Sequence, residues 1–329
     1  MNEIINILKI SLTRGIGNVS VLKFLEYIKI GSIESYNNKD IVEIFELLKK
    51  VNGRIKVPLM EEIEIAEEWA KQIYELSNEN GIKIFPYNSE GYPKLLYDLN
   101  DAPAIVHVKG NIKALDSKPT VAVIGTRKPS SYGEKLGARL VEILIENDVN
   151  IVSGLALGCD TIGHLESVNR HKQTIAVLAG GLQSIYPKEN KVLAQLILEN
   201  DGLLISEMPF GQNPDKNSFV QRDRIQSGLS YATMIIQTAI KGGTLHTAKF
   251  TLDQKRLLAC IFPKNHIENT HEMFMGNKEL IKQGAISLDS PEAIQELINK
   301  VKEKYKFHKS NFDKNIRENM NNNGQTILF

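Results

Sequence analysis

The chain has 329 residues, 42% of them apolar and 24% charged, with a formal net charge of +1. That length predicts roughly two domains of ordinary globular composition, and the near-neutral balance excludes a histone-like, all-over electrostatic binder, so any nucleic-acid site has to be a local patch. Two cysteines, Cys159 and Cys260, without metal-type spacing, exclude a disulfide framework and fit a reducing cytosol.

From the N-terminus, early polar residues and the lack of a cleavage pattern argue against a signal peptide. No apolar run approaches ~20 residues, so the expectation is a cytoplasmic protein without a membrane span. Residues 1–85 carry apolar side chains at helical spacing in Ile4–Leu12, Val19–Ile28, Ile41–Leu48 and Ile63–Leu76, which predicts a small helical domain. Seven Glu against one Lys in 61–80 read as a solvated helix face. Gly15-Ile16-Gly17 before an apolar helix reads either as a helix-hairpin-helix turn, whose amides can meet a DNA phosphate, or as a plain inter-helix turn. Residues 86–118, punctuated by Pro86, Pro93 and Pro103, read as an extended connector. From 119 to 302 short β-rich runs alternate with helical patterns, which predicts an α/β, doubly wound, mostly parallel sheet covered on both faces. Ser131 and Glu134 have capping-box spacing at the start of the first crossover helix. A last helix is expected to end near Lys302. Residues 303–329 then read as a basic, Asn-rich flexible tail, with seven Lys/Arg in 300–317 against Glu303 and Asp313.

Four of the apolar runs end on one device. They exit at Gly125, at Ser153-Gly154, at Gly180-Gly181 and before Gly242-Gly243-Thr244, and a helical pattern follows each. Such turns expose backbone N–H groups and helix N-termini along one sheet edge, where α/β proteins hold phosphate. Arg127 and Lys241 place cations at two of these exits. The dinucleotide fingerprint, with its acidic residue after the second strand, is absent, which disfavours nicotinamide chemistry. Asp160 and His164, one helical turn apart, read as ligands or as base and orienter, or else as a helix-start acid with a packed histidine; no third ligand lies nearby. In Phe219-Val-Gln-Arg222-Asp223-Arg224, guanidinium forks match phosphate oxygens and the ring can stack on an unpaired base. Taken alone, the same segment reads as a surface ion-pair cluster. No nucleophile elbow, Walker loop, zinc motif or carboxylate pair occurs, so no catalytic residue, cofactor or metal is expected.

Together these blocks resemble the DNA-processing protein A family (DprA, also called Smf). The similarity runs through Gly125, Arg127, Ser130, Tyr132 and Gly133, through Val152–Asp160 with His164, and through Thr174–Asn190. Leu203–Glu207, Arg222–Ser230 and Lys241–Ala248 continue it in order. The resemblance implies an extended Rossmann-like domain behind a small helical domain (of the sterile-alpha-motif or helix-hairpin-helix kind). It also implies a homodimer that binds single-stranded DNA, protects incoming strands during natural transformation or recombination, and loads RecA. Three departures stand out. Asp223 replaces the usual Asn of an Arg-Asn-Arg triplet, Gln237-Thr238 replaces a Glu-Ala pair, and Phe262-Pro263-Lys264 lacks the usual glycine. No winged-helix domain fits after residue 303. The alternative is a nucleotide sensor, or a relative of the LOG-type nucleotide phosphoribohydrolases, on the same sheet; the Glu that such hydrolases need is missing after Lys241-Gly242-Gly243-Thr244. At the far end Gln325, Leu328 and Phe329 resemble the peptide that bacterial proteins insert into the β sliding clamp.

Overall fold

A computed structural model of the chain describes residues 2–28, 33, 36–87, 89–264 and 271–322. The centre is a nine-stranded sheet: β1 (Lys83–Pro86), β2 (Ile105–Gly110), β3 (Thr120–Ile124), β4 (Asn150–Ser153), β5 (Thr174–Val177), β6 (Leu203–Ser206), β7 (Ala232–Ile235), β8 (Leu257–Ile261) and β9 (Ile286–Leu288). Their spatial order is β1-β2-β6-β5-β4-β3-β7-β8-β9. All pairings from β6 to β9 are parallel, whereas β1 and β2 join antiparallel at one edge. Every residue of β3, β4, β5, β6 and β7 is buried, as expected of strands covered on both faces. From β3 the chain first winds outward through β4, β5 and β6, then returns to the other flank of β3 as β7. The order therefore reverses between β3 and β7, the place where open α/β sheets leave a crevice beyond their strand ends.

The covering helices are α5 (Ser131–Glu146), α6 (Cys159–Asn169), α7 (Lys191–Glu199), α8 (Lys216–Gly228), α9 (Thr244–Asp253), α10 (Glu272–Lys282) and α11 (Pro291–Asn322). The first crossover helix is capped one residue earlier than its sequence spacing predicts. Ser130, not Ser131, is the cap, its Oγ accepting from the Gly133 N–H at 3.1 Å.

Four N-terminal helices, α1 (Asn2–Leu12), α2 (Asn18–Ile28), α3 (Asn38–Val51) and α4 (Met60–Glu79), match the apolar periodicity and bury a core around a stacked Phe24–Phe45 pair. Gly15-Ile16-Gly17 forms the turn between α1 and α2, and Lys56 packs against Gly15 and donates from Nζ to the Arg14 carbonyl at 2.6 Å. This helical core merges with the sheet edge through Ile84, Ala104 and Ile105, and the Asn18 side chain bonds the backbone of Ala102 and Ala104 at 2.6 Å each.

Two expectations need correction. The 86–118 segment is not an extended connector: it supplies β2, and with residues just before it an antiparallel ribbon that pairs with β6. Nor does order stop at residue 302. The last helix runs to Asn322, and its apolar side chains dock on the sheet layer: Tyr305 Oη donates to the Asp116 carbonyl at 3.0 Å, and Phe312 stacks on Tyr97. A lysine-rich stretch thus forms a helix because alternate turns still carry Leu297, Ile298, Val301 and Tyr305 to a buried face. Residues 325–329, with Gln325, Leu328 and Phe329, lie outside the described residues.

Candidate nucleic-acid interface

The crevice beyond β3 and β7 is built by two loops fastened to each other. The Thr126 N–H donates to the Gln237 carbonyl at 2.7 Å. The Gln237 side chain then clasps Ser130, its Oε1 accepting from the backbone N–H at 2.8 Å and its Nε2 donating to Oγ at 2.9 Å. From the other flank the Cys159 N–H donates to the Thr126 carbonyl at 3.1 Å, and a Cβ at Gly158, where φ is +77°, would stand 2.5 Å from that oxygen. A fully buried Gln237 therefore serves as a buckle for the 125–130 loop. The buckle leaves Arg127 and Lys128 exposed at the crevice mouth without an ion-pair partner among the described residues. A cleft of about 540 Å³ opens beside them, lined by Thr126, Arg127, Lys128, Ser130, His271 and Met273 among others.

Arg222 and Arg224, expected to meet phosphate, are instead buried. The Arg222 guanidinium donates to the carbonyls of Gly154 (2.5 Å) and Val177 (2.9 Å) and to Asp223 (3.2 Å). Arg224 grips both carboxylate oxygens of Glu207, at 2.6 and 2.7 Å. A DNA phosphate would have to displace short, water-excluded bonds to reach either, so neither is a surface contact. Asp223 belongs to the same network, which accounts for an acid in this position. Burial raises its carboxyl, and Arg222 and a hydrogen bond from Thr247 oppose that rise.

The second strand exit is also occupied by the protein itself. Asp160 accepts from the Gly154 and Ala156 N–H groups at 3.1 and 3.3 Å, taking the amides that a bound anion would use. Burial pushes its carboxyl up to about 6 against the pull of Arg222. His164 is buried, bonds Thr174 through Nδ1 at 2.8 Å, and is held neutral, lowered to about 3 by burial. The pair is a packed acid and a packed histidine. Among the described residues no group of three or more His, Cys, Asp and Glu is placed to hold a metal. Ser153 donates its hydroxyl to the Val123 carbonyl at 2.6 Å. Gly180 and Gly181 are buried beneath the 207–215 loop, with the Gly181 N–H given to the Gln212 carbonyl at 2.8 Å. At these exits the Gly154, Ala156 and Gly181 amides are taken by the protein's own acceptors.

What remains at the surface is a shorter set. Arg127 lies 5.8 Å from the centre of the Phe219 ring, and Tyr186 lies 5.6 Å from it on the other loop. Lys216, one turn before Phe219, and Lys241 are exposed, as is Gly243; Gly125, Gly242 and Thr244 are half-buried. Tyr186, Lys216 and the Gln237 buckle were not singled out from the sequence as binding or positioning groups. An aromatic residue directly before Pro187, just past a strand exit, was the available signal for Tyr186.

A family model described as DNA recombination-mediator protein A matches residues 83–299. Protein Smf of Escherichia coli is 38% identical over 213 residues, 65% of this chain and 56% of that protein, so the match spans little more than half of the relative. DNA processing protein DprA of Bacillus subtilis is 36% identical over 219 residues, 66% of this chain and 72% of its own length. Among solved structures, DNA processing protein A from Streptococcus pneumoniae superimposes with a TM-score of 0.73 at 29% identity, covering 90% of this chain and 97% of that one. That of Helicobacter pylori, whose structure concerns its single-stranded DNA binding mode, gives 0.59 at 31% identity, covering 68% and 97%.

Proposed function

The chain belongs to the DNA recombination-mediator protein A family, and on that premise we propose that it binds single-stranded DNA, without sequence preference, across the crevice beyond β3 and β7. The observation that carries this reading is Arg127: exposed, without an acidic partner among the described residues, and held on a loop that Gln237 buckles into place. Lys128, Lys216 and Lys241 extend the cationic track along the same edge, and bases face the aromatic pair beside it. The role we propose is binding rather than turnover: Asp160, His164, Asp223 and Glu207 at the strand ends are engaged in internal bonds. As the family implies, the bound strand is protected and passed to RecA during DNA uptake or recombination, and the working form is a homodimer. The helical domain (1–85), the sheet domain and a C-terminal segment that reaches the β sliding clamp complete the organisation we propose.

Fluorescence anisotropy with oligonucleotides of increasing length tests the reading. Three or four phosphate contacts to a single strand give a log K against log salt slope of about −2 to −3. Arg127→Ala is expected to lower that slope by about 0.7 and to weaken all sequences alike. Mononucleotides that compete as well as oligomers would favour the nucleotide-sensor alternative instead. Light scattering that finds only monomer, or RecA filaments indifferent to the protein, would remove the corresponding partner.

A further inference from the structure

Resting on the single-stranded DNA reading, we propose that Tyr186 is the base-stacking platform of this edge and that Phe219 is its backing. Sequence reasoning assigned stacking to Phe219, but that ring is only partly accessible. Arg127 lies over it at 5.8 Å and Tyr186 leans on it at 5.6 Å with 57° between the planes. Tyr186 is 53% exposed, so it is the ring of this pair that has a face free for a nucleobase.

The loop that carries Tyr186 is held from several directions. Leu182 is buried and Ile185 packs beside it in the cluster under α7. The Gly181 N–H donates to the Gln212 carbonyl at 2.8 Å. Just past the tyrosine, Asn190 Nδ2 donates to the Leu155 carbonyl at 2.8 Å and to Thr161 Oγ1 at 2.9 Å. An aromatic ring fixed outward on an anchored loop loses little freedom when a base settles on it, which is what a stacking platform requires. Arg127 and Tyr186 both lie against the half-buried Phe219 ring, which joins a cation and an exposed ring in one cluster. A nucleotide bound at that cluster meets Arg127 with its phosphate and Tyr186 with its base, a sequence-tolerant arrangement because every base has a π-face.

The test compares an ordinary oligothymidine with an abasic oligonucleotide of the same length, using the full chain and the variants Tyr186→Ala, Tyr186→Phe and Arg127→Ala. Stacking on one base predicts that Tyr186→Ala weakens the ordinary strand roughly tenfold and leaves the abasic strand unchanged, whereas Tyr186→Phe retains affinity for both. Thermal melts of Tyr186→Ala should match the parent, since the ring is exposed. If Tyr186→Ala binds the ordinary strand as the parent does while Arg127→Ala is weakened, the platform is refuted and the DNA reading stands. Equal weakening on both strands would mean that the ring acts on the backbone or the loop, which also refutes stacking. If the parent protein binds neither strand, both readings fail.

Discussion

Replacing Arg222 with alanine separates a structural arginine from a DNA-contacting one. The guanidinium is 7% exposed and supplies the donors for the Gly154 and Val177 carbonyls, while Asp160 and Asp223 depend on its charge. Arg222→Ala leaves two buried carbonyls, the buried Asp160 carboxyl and the half-buried Asp223 carboxyl without that partner. Breaking one side of a buried ionic pair typically costs about 3–5 kcal/mol, a large part of the roughly 5–15 kcal/mol that holds a domain together. For a domain of this size each kcal/mol moves the melting temperature by about 2–4 °C, so a drop of about 6–20 °C is expected by circular dichroism. Arg127→Ala, at an exposed site, should stay within about 0.5 kcal/mol of the parent. Below its melting temperature Arg222→Ala should keep the parent's salt slope for oligonucleotide binding, whereas Arg127→Ala loses about one phosphate contact. An Arg222→Ala protein that melts like the parent but shows a shallower salt slope would refute this division. The guanidinium would then be leaving its buried carbonyls to meet DNA.

Other expected outcomes follow from the same geometry. Gln237→Leu removes the buckle on Ser130 and should cost about 1–3 kcal/mol with weaker oligonucleotide binding, whereas Gln237→Glu keeps acceptors for the Ser130 N–H and hydroxyl and should melt close to the parent; urea titration distinguishes them. His107 is buried in β2, and burial lowers its pKa to about 4. An unfolded histidine takes up its proton near 6.5, so stability is full above that value and falls as pH drops toward 4, by on the order of 3 kcal/mol; His107→Phe should flatten that part of the pH–stability profile. Burial pushes the Cys260 thiol up to about 12 and raises Cys159 as well, so both should react with a thiol reagent only as fast as the chain unfolds. Deleting Gln325–Phe329 should abolish capture by an immobilised β clamp and leave oligonucleotide affinity intact; no capture of the parent at hundred-micromolar clamp, roughly the weak end for a two-side-chain anchor, would discard the clamp contact.

The parallel centre of the sheet was legible because its strands are short unbroken apolar runs, and the helical domain because Ile4–Leu12 and its successors repeat at helical spacing. The ribbon of β1 and β2 was not. Its prolines read as punctuation, and Gly110 pairs with Leu203, far along the chain. Residue type alone also failed to separate buried from exposed arginine. A period through Ser218, Arg222, Ile225 and Leu229, all buried, carried the needed sign, since it places Arg222 on the inward stripe of α8. The strand-exit glycines were correctly located as turns. What the sequence did not disclose is that Asp160 occupies the Gly154 amides, because an acid at a helix start looks the same whether it caps its own chain or clears space for a ligand. Asp223, read as a departure beside DNA, lies within the Arg222 network for a similar reason.

The strand order has a consequence for how the protein is made. β2 waits for β6, with Gly110 paired to Leu203, and β3 completes its second flank only when β7 arrives, with Val121 paired to Ala232. At about 5–20 residues per second a ribosome needs roughly 5–20 s to bridge either gap. Throughout that interval the growing chain carries the β1–β2 ribbon with one open edge and β3 with another. Both are apolar strands with unpaired backbone groups, the kind that recruit a neighbouring chain. Nascent protein should therefore be most vulnerable to aggregation and most dependent on chaperones while the stretch between β3 and β7 is being translated. Slowing elongation there should lower soluble yield more than slowing it after β7, when both flanks of β3 are already paired.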